Sequence, residues 1–173
     1  RIAAPDIEAV LETGSTNADL LAQARAHAPA GPRLRACLNQ TAGRGRMGRR
    51  WYAAPGSALL FSLAVPLGNA APPAAATLVA AVVLADLLDA AFGRTQVASP
   101  DAAASAARLD LQLKWPNDLL LDGRKLGGVL AELAVDRAGV RTLVLGVGLN
   151  LWLDAAARGS IGTRLCSRPP STI

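Results

Sequence analysis

The sequence is poor in the residues that build metal clusters, disulfide frameworks and aromatic stacking surfaces. Its 173 residues include two cysteines, one histidine and one tyrosine, and aromatic residues make up 3% of the chain. One histidine is too few for a typical metal cluster, and Cys37 and Cys166 lie far apart with neither in a CxxC pair. We therefore predict two reduced thiols in a reducing compartment, with one disulfide as the alternative, and a buried strand position for Cys37.

Long hydrophobic runs are also missing. The longest apolar stretch, residues 74–85, is followed by Asp86 and is shorter than the roughly 20 residues that a membrane-spanning helix needs. The N-terminus has no secretory signal pattern. These absences predict a cytoplasmic protein without membrane contact. Because the chain begins with Arg1 rather than Met, we expect a fragment of a longer protein.

Acidic residues are absent from one strongly basic stretch. The segment QTAGRGRMGRRWYAAPG, residues 40–56, contains four arginines and four glycines. The whole chain has a net charge of +5, so these four arginines account for most of it. The basicity is therefore local, which indicates an anionic ligand at one place more than a basic coat over the surface.

Hydrophobic patterns and turn signals predict an α+β fold, a mixed and mainly antiparallel sheet flanked by helices, as a single domain over residues 1–173. Strands are predicted at residues 7–11, 33–40, 57–67, 111–115, 118–136 with a turn at 122–125, and 139–151. Helices are predicted at residues 17–27, capped by Ser15 or Thr16, and from the prolines at 72 and 73 to residue 92 with one side buried. The strand at 57–67 is predicted to be largely buried on both faces, and the C-terminal half to be an antiparallel meander. Residues 93–110 are predicted to be a loop, with a partly helical segment as the alternative.

The basic stretch predicts a loop that holds an anion. Glycines let backbone N–H groups approach a ligand closely, and arginines supply forked donors for phosphate or carboxylate. A solvated surface loop and a nonspecific nucleic-acid-binding loop are the alternatives. Against nucleic acid, no aromatic residue interleaves with the arginines until Trp51 and Tyr52, whereas a stacking surface would need more.

A second polar cluster lies in KWPNDLLLDGRKLGGVLAE, residues 114–132. Lys114 ends an apolar strand, Asn117 and Asp118 occupy a turn where they can face a ligand or a magnesium ion, and Lys125 opens the next strand. Two lysines near one strand end suit charge stabilisation of a phosphate. The segments GSTN at residues 14–17 and GVGLN at residues 146–150 are compatible with a ligand site or with an ordinary helix cap and strand end.

These four segments, in this order, resemble the catalytic domain of the biotin–protein ligase family, the biotin–[acetyl-CoA carboxylase] ligases, over about residues 7–150. The resemblance implies a fold similar to the catalytic fold shared by class II aminoacyl-tRNA synthetases and biotin ligases. It implies an ATP-dependent ligase that activates biotin as biotinyl-5′-AMP with Mg²⁺. The biotin would then be transferred to a lysine of a biotin carboxyl carrier protein, that of acetyl-CoA carboxylase.

The resemblance also implies roles for individual residues. Lys125 and Arg46 would be the catalytic residues, the hydroxyls of Ser15 and Thr16 would bond the ureido ring, and Asp118 would be a candidate Mg²⁺ ligand. The basic loop would be a lid over the adenylate, and Trp51 would pack under it or serve as a plain core aromatic. The full set implied to bind biotin or the adenylate is Ser15, Thr16, Asn17, Gln40, Gly43, Arg44, Gly45, Arg46, Trp51, Lys114, Asn117, Asp118, Lys125, Gly127, Gly128 and Asn150.

The chain also departs from the family pattern. No helix-turn-helix segment precedes the match, so DNA binding is not expected, and residues 154–173 show no match to the family's C-terminal part or β-barrel domain. Biotin binding is therefore better supported than full ligase activity, and a homodimer remains an option. The alternatives are a lipoate-type ligase, a non-catalytic biotin-binding protein and an Arg/Gly nucleic-acid-binding module.

Overall fold

In the part of the chain that the structure describes, seven strands form one mixed sheet in the order β1-β2-β3-β7-β6-β5-β4, and two helices pack against it. The computed structural model describes residues 4–70, 72, 75–92 and 110–151. The elements are β1 Asp6–Thr13, α1 Thr16–Ala26, β2 Arg33–Gln40, β3 Ala58–Gly68, α2 Ala76–Phe92, β4 Leu111–Lys114, β5 Asp118–Leu121, β6 Arg124–Val135 and β7 Arg141–Asn150.

The pairing confirms the predicted antiparallel meander and adds one parallel pair. Strands β4 to β7 pair antiparallel in succession, and β7 also pairs antiparallel with β3. The β5–β6 connection is the predicted tight turn, with Asp122 and Gly123 both at positive φ. At the other edge β1 runs parallel to β2, because α1 provides the crossover that parallel neighbours require.

Helix α1 begins where the sequence predicts. Ser15 is its N-cap and its hydroxyl accepts a hydrogen bond from the backbone N–H of Ala18, while His27 is the C-cap. The buried face of α1 packs against the centre of the sheet. This core cluster comprises Leu20, Leu21, Ala24, Ala64, Ala134 and Val144.

Helix α2 packs on the opposite face of the sheet. Its cluster includes Val129 of β6 and Val147 of β7, whereas α1 shares a cluster with Ala134 and Val144 of the same two strands. Val129 and Ala134 lie an odd number of positions apart along β6, as do Val144 and Val147 along β7, and the pairing of the two strands has no bulge. Because successive strand residues face opposite sides of a sheet, the two helices lie on opposite faces. One side of α2 is packed and the other exposes apolar residues such as Val83, so one-sided burial is confirmed.

Three predictions need correction or fall outside the described residues. Strand β3 is not buried on both faces: Leu60 and its same-face neighbours are buried, but Leu59 on the other face is 44% exposed. The reason is that α2 packs mainly against β4, β5 and β6. Two other predictions fall largely outside the described residues. Of the start of the predicted second helix, Pro72 is described, and of the predicted loop, Asp110 is described.

Cys37 occupies the buried strand position that the sequence predicts. It lies on β2 in a cluster with Ala53, Ala58 and Leu60, and burial raises the pKa of its thiol. A thiol in this environment behaves as a small hydrophobe. Neither helix in the part of the chain that the structure describes is long and apolar enough to cross a membrane.

Candidate active site

A cleft of about 1160 Å³ opens beside the N-terminus of α1, between the basic loop and the β5–β6 pair. It brings together segments that are far apart in the sequence. All of the predicted site residues except Gly43 and Gly127 line it. The structure therefore places the four sequence motifs at one site.

One end of the cleft is polar but uncharged. Thr16 donates to Oε1 of Gln40 from its backbone N–H at 2.9 Å and from Oγ1 at 3.2 Å, and its Oγ1 lies 2.8 Å from Oγ of Ser62. Ser15, Thr16 and Asn17 are all buried at the start of α1. The sequence analysis did not select Ser62. A hydroxyl side chain in an otherwise apolar strand is the feature that could have identified it.

This arrangement follows from the way the chain leaves β1. The parallel pairing of β1 with β2 continues beyond both strands, because the backbone N–H groups of Thr41 and Ala42 donate to the carbonyl groups of Thr13 and Gly14. The end of β2 therefore lies directly beside the start of α1. That proximity brings the Gln40 side chain to Thr16.

Asn17 is held by a residue that the sequence analysis did not select. Its Nδ2 donates to Oε2 of Glu132 at 2.7 Å, whereas its buried Oδ1 has no hydrogen-bond partner among the described residues. The backbone of Gly146 lies against the same amide, since a Cβ at Gly146 would come within 2.5 Å of the Asn17 oxygen. The feature that could have identified Glu132 is a carboxylate within an apolar strand, at the end of the second motif.

The basic loop is folded as a small hairpin. The N–H of Trp51 donates to the carbonyl of Gly43 at 2.9 Å, and the N–H of Gly45 donates to the carbonyl of Arg49 at 2.8 Å. A short 3-10 turn at Arg46–Gly48 closes it. The four arginines of the loop are exposed on this scaffold. The loop is thus an ordered support for exposed cations beside the cleft.

Three arginines of the loop contact different parts of the chain. Arg44 forms an ion pair with Glu132, with Nη2 2.9 Å from Oε1. Nη1 of Arg46 lies 3.5 Å from Oδ1 of Asn117, which is a long contact. Arg50 donates to the carbonyl of Thr41 at 3.1 Å. Two of these contacts connect the loop to the β5–β6 side of the cleft.

Lys125 lies at the other end of the cleft. Its Nζ donates to Oδ1 of Asp118 at 2.7 Å and lies 5.7 Å from the centroid of the Trp51 ring. Asp118 pairs with Gly128 across β5 and β6, and a Cβ at Gly128 would come within 3.4 Å of the Asp118 carboxylate. The glycine therefore leaves room for the carboxylate over the β6 backbone.

Trp51 contacts both the hydrophobic core and the cleft. Its partly buried side chain packs against the cluster of Cys37 and Leu60, and a Cβ at Gly148 would come within 2.6 Å of its ring. Trp51 Nε1 and Asn150 Oδ1 are buried without hydrogen-bond partners among the described residues. Both residues line the cleft.

The structure does not bring Gly43 and Gly127 to the cleft. Both are buried, a Cβ at Gly43 would come within 2.5 Å of the Trp51 carbonyl, and a Cβ at Gly127 would collide with the carbonyl of Gly148. The absence of a side chain at these positions permits close packing of neighbouring backbone. The implied binding role of these two glycines therefore has no geometric support.

The cleft is strongly basic. Among the described residues that line it, Asp118 is the single acidic residue, against the basic residues Arg44, Arg46, Arg49, Arg50, Lys114 and Lys125. Within residues 4–70, 72, 75–92 and 110–151, no group of three or more His, Cys, Asp or Glu side chains could hold a metal ion. The site is therefore suited to a molecule with an anionic part and a neutral polar part.

Sequence comparison identifies relatives over most of the chain. The profile of the biotin/lipoate A/B protein ligase family matches residues 11–150. The chain is 40% identical over 145 residues to biotin–[acetyl-CoA-carboxylase] ligase from Mycobacterium tuberculosis, covering 84% of this chain and 49% of that protein. It is 37% identical over 139 residues to the enzyme of the same name from Paracoccus denitrificans, covering 80% and 52%. The chain thus spans about half the length of these curated relatives.

Solved structures show the same fold and confirm the predicted fold class. Biotin acetyl coenzyme A carboxylase synthetase from Helicobacter pylori, solved with bound biotinylated ATP, superposes with a TM-score of 0.65 at 27% identity, covering 88% of this chain and 64% of that one. Biotin protein ligase from Leishmania major, in complex with biotinyl-5-AMP, superposes with a TM-score of 0.67 at 24% identity, covering 95% and 69%. With a family profile that spans most of its length and the corresponding fold, the chain belongs to the biotin/lipoate A/B protein ligase family.

Proposed function

We propose that the chain activates biotin with ATP to form biotinyl-5′-AMP, and that the protein transfers the biotin to a lysine of a biotin carboxyl carrier protein. One observation carries the proposal: a single cleft joins a neutral polar pocket at the start of α1 to a basic loop and Lys125. The names of the relatives from Mycobacterium tuberculosis and Paracoccus denitrificans support the same activity.

The polar end of the cleft suits the ring of biotin. A ureido ring carries two N–H donors and one carbonyl acceptor and has no charge. Hydroxyl and amide groups, which both donate and accept, complement such a ring. Ser15, Thr16 and Gln40 provide them, and the contacts among Thr16, Gln40 and Ser62 hold Thr16 and Gln40 in place.

The basic end suits the reaction. An oxygen of the biotin carboxylate attacks the α-phosphorus of ATP, a new P–O bond forms, and the bond to pyrophosphate breaks. Both reactants are anionic, so cations must hold them together and stabilise the charge that develops. Arg46 and Lys125 are the groups that we assign to this task, with Arg44 and Lys114 in support.

The donor set fits a magnesium ion that arrives with ATP. Mg²⁺ is usually held by one or two carboxylates together with substrate phosphates and water. Asp118 is the one carboxylate that lines the cleft in the described part of the chain, and its Oδ1 is paired with Lys125. When bound, the ion would neutralise phosphate charge, and Asp118 is the residue that would hold it.

The basic loop is suited to cover the adenylate. The mixed anhydride of biotin and AMP hydrolyses in water, so the site must exclude water until the acceptor lysine arrives. The loop is a hairpin with exposed arginines and a short turn at Arg46–Gly48, beside the cleft.

Because ATP and unmodified carrier protein are cytoplasmic, we place the activity in the cytoplasm.

Direct detection of both half-reactions tests the proposal. The 173-residue chain is incubated with radiolabelled biotin, ATP and Mg²⁺, and biotinyl-5′-AMP is sought by mass spectrometry of the quenched mixture. An unmodified carrier domain is then added, and label on its acceptor lysine is measured against a carrier in which that lysine is arginine. We expect adenylate and then labelled carrier. Formation of lipoyl-AMP from lipoate, with no adenylate from biotin, would instead assign the lipoate activity.

A further inference from the structure

Glu132 connects the two ends of the cleft. It lies on β6 opposite Val144, and its side chain is 23% exposed. Oε2 accepts from Nδ2 of Asn17 at 2.7 Å, and Oε1 accepts from Nη2 of Arg44 at 2.9 Å. One carboxylate therefore contacts the polar pocket at the start of α1 and the basic loop at the same time.

The chemistry of a carboxylate determines how Asn17 is oriented. An ionised carboxylate can only accept hydrogen bonds, so the asparagine amide must turn its NH₂ group toward Glu132. Its oxygen then faces the other way and has no partner among the described residues. Asn17 is 4% exposed and lines the cleft, so this acceptor is withdrawn from bulk water.

A buried acceptor without a partner is unfavourable and is satisfied when a ligand donates to it. We propose that Glu132 is a positioning residue that orients the Asn17 amide and thereby makes the cleft select a ligand with an N–H donor. The inference rests on the proposed function and extends it to the choice of substrate. The cyclic urea of biotin carries N–H groups, whereas the dithiolane ring of lipoate carries none.

The contact with Arg44 gives Glu132 a second positioning role. Arg44 and Glu132 have side chains 49% and 23% exposed, so solvent only partly screens the pair. Arg44 is the first arginine of the basic loop and is held against the wall that also holds Asn17. The loop therefore starts from a fixed point beside the ring-binding end of the cleft.

The variant Glu132→Gln tests the inference. Glutamine has nearly the same size, but an NH₂ group replaces one of the two carboxylate oxygens, each of which accepts from a different partner. One of Asn17 and Arg44 then faces a donor instead of an acceptor, and the Asn17 amide is permitted to rotate. We expect the KM for biotin in ATP–pyrophosphate exchange to rise about threefold to tenfold, the range for one hydrogen bond. We expect kcat to change much less, and the preference for biotin over lipoate to fall by a similar factor.

A matched control is Glu8→Gln. Glu8 forms an ion pair with Arg35 on β1 and β2 and does not line the cleft. Loss of this carboxylate removes an ion pair of the same type without touching the site. We expect its KM for biotin to equal that of the wild-type chain.

A double-mutant cycle separates positioning from a purely structural role. If Glu132 acts through Asn17, then Glu132→Gln in the Asn17→Ala background should raise the KM for biotin by much less than it does in the wild-type chain. An unchanged KM in Glu132→Gln, or full additivity in the cycle, would overturn the inference.

If thermal melting shows that Glu132→Gln is unfolded, Glu132→Asp is used by the same criteria, because the shorter side chain cannot reach both partners. A folded wild-type chain without biotin-dependent exchange would contradict the proposed function itself.

Discussion

Nζ of Lys125 lies 2.7 Å from Oδ1 of Asp118, and the two side chains are 26% and 25% exposed. The pair joins the first residue of β5 to the second residue of β6, across the tight turn between them. The same ammonium group lies over the face of Trp51, 5.7 Å from the ring centroid. A lysine side chain, which is flexible on its own, is thereby held at one point of the cleft.

Replacement of Lys125 by alanine should abolish most adenylate formation. Loss of one preorganised donor to a developing anion typically lowers turnover about 100-fold to 1000-fold, and we expect kcat for ATP–pyrophosphate exchange to fall by that factor. The matched control is Arg124→Ala, since Arg124 is exposed and adjacent in sequence but does not line the cleft. Near-normal exchange by a folded Lys125→Ala protein would remove Lys125 from the mechanism.

Replacement of Asp118 by asparagine should separate its two possible roles. If Asp118 acts only by holding Lys125, kcat should fall while the Mg²⁺ concentration for half-maximal exchange stays the same. If it also holds Mg²⁺, that concentration should rise several-fold. We expect the rise, because Asp118 is the one carboxylate that lines the cleft in the described residues. The measurement is a Mg²⁺ titration of exchange for both proteins at saturating biotin and ATP.

Ligands should protect the basic loop from trypsin. The arginines at 44, 46, 49 and 50 are exposed in the structure. With biotin and ATP at about ten times their dissociation constants, we expect cleavage there to slow about tenfold, because the closed fraction rises by mass action. Exposed Arg137, in the turn between β6 and β7, is the internal reference and should be cleaved at an unchanged rate.

Equal cleavage of the loop with and without both ligands would argue against its role as a lid. Biotin plus ATP should protect it, and lipoate plus ATP should protect it less. N-terminal sequencing of the fragments identifies which arginine is cut.

Gly148→Ala should disturb the floor of the cleft. The added methyl group would come within 2.6 Å of the Trp51 ring, which must shift beneath Lys125. Overpacking of this kind typically costs about 1–3 kcal/mol of stability, and we expect exchange activity to fall as well. Gly31→Ala is the matched control, because a Cβ there has no neighbour within 4 Å. A Gly148→Ala protein with wild-type stability, measured by urea denaturation, would show that Trp51 is free to move.

Asp136 should make stability depend on acidic pH. Hydrogen bonds from backbone N–H groups, that of Val140 foremost, followed by those of Ala28 and Ala138, lower the pKa of the Asp136 carboxyl. A lowered pKa in the folded state means that the stabilisation is complete above the unfolded value of about 3.9, and is lost as pH falls through the folded value. Asp136→Asn should therefore be less stable than the wild-type chain at pH 7, with a difference that begins to shrink below about pH 4 and is lost as the pH falls through the lower folded value.

Urea denaturation of both proteins between pH 3 and pH 7 measures this difference. Asp122→Asn, a change at an exposed turn residue, is the control and should track the wild-type chain. A difference for Asp136→Asn that persists unchanged at pH 3 would mean that the carboxylate charge does not contribute.

Much of the fold could be predicted because its signals are local. Strand β2 has the predicted bounds at residues 33–40, and the Asp-Gly turn between β5 and β6 is where the sequence places it. Helix α1 starts within one residue of its prediction, because Ser15 is a strong cap. The parallel pairing of β1 with β2 was not predicted, since no local pattern specifies which distant strand an edge strand joins.

The site could be predicted as a set of motifs but not as a network of contacts. A glycine motif indicates that some group approaches the backbone closely, but it does not show whether that group is a ligand or another part of the chain. Gly128 lines the cleft, whereas Gly43 and Gly127 face neighbouring backbone. Ser62 and Glu132 were missed because each lies alone in an apolar strand. Their roles depend on partners 46 and 115 residues away, Thr16 and Asn17.

Biotin-dependent exchange of pyrophosphate into ATP by the 173-residue chain tests the central claim most directly. The assay reports the reversible adenylation step alone and needs no acceptor protein. Our account predicts exchange that requires biotin, is not supported by lipoate, and is lost in Lys125→Ala. A folded chain that does not catalyse exchange in the presence of biotin would contradict it.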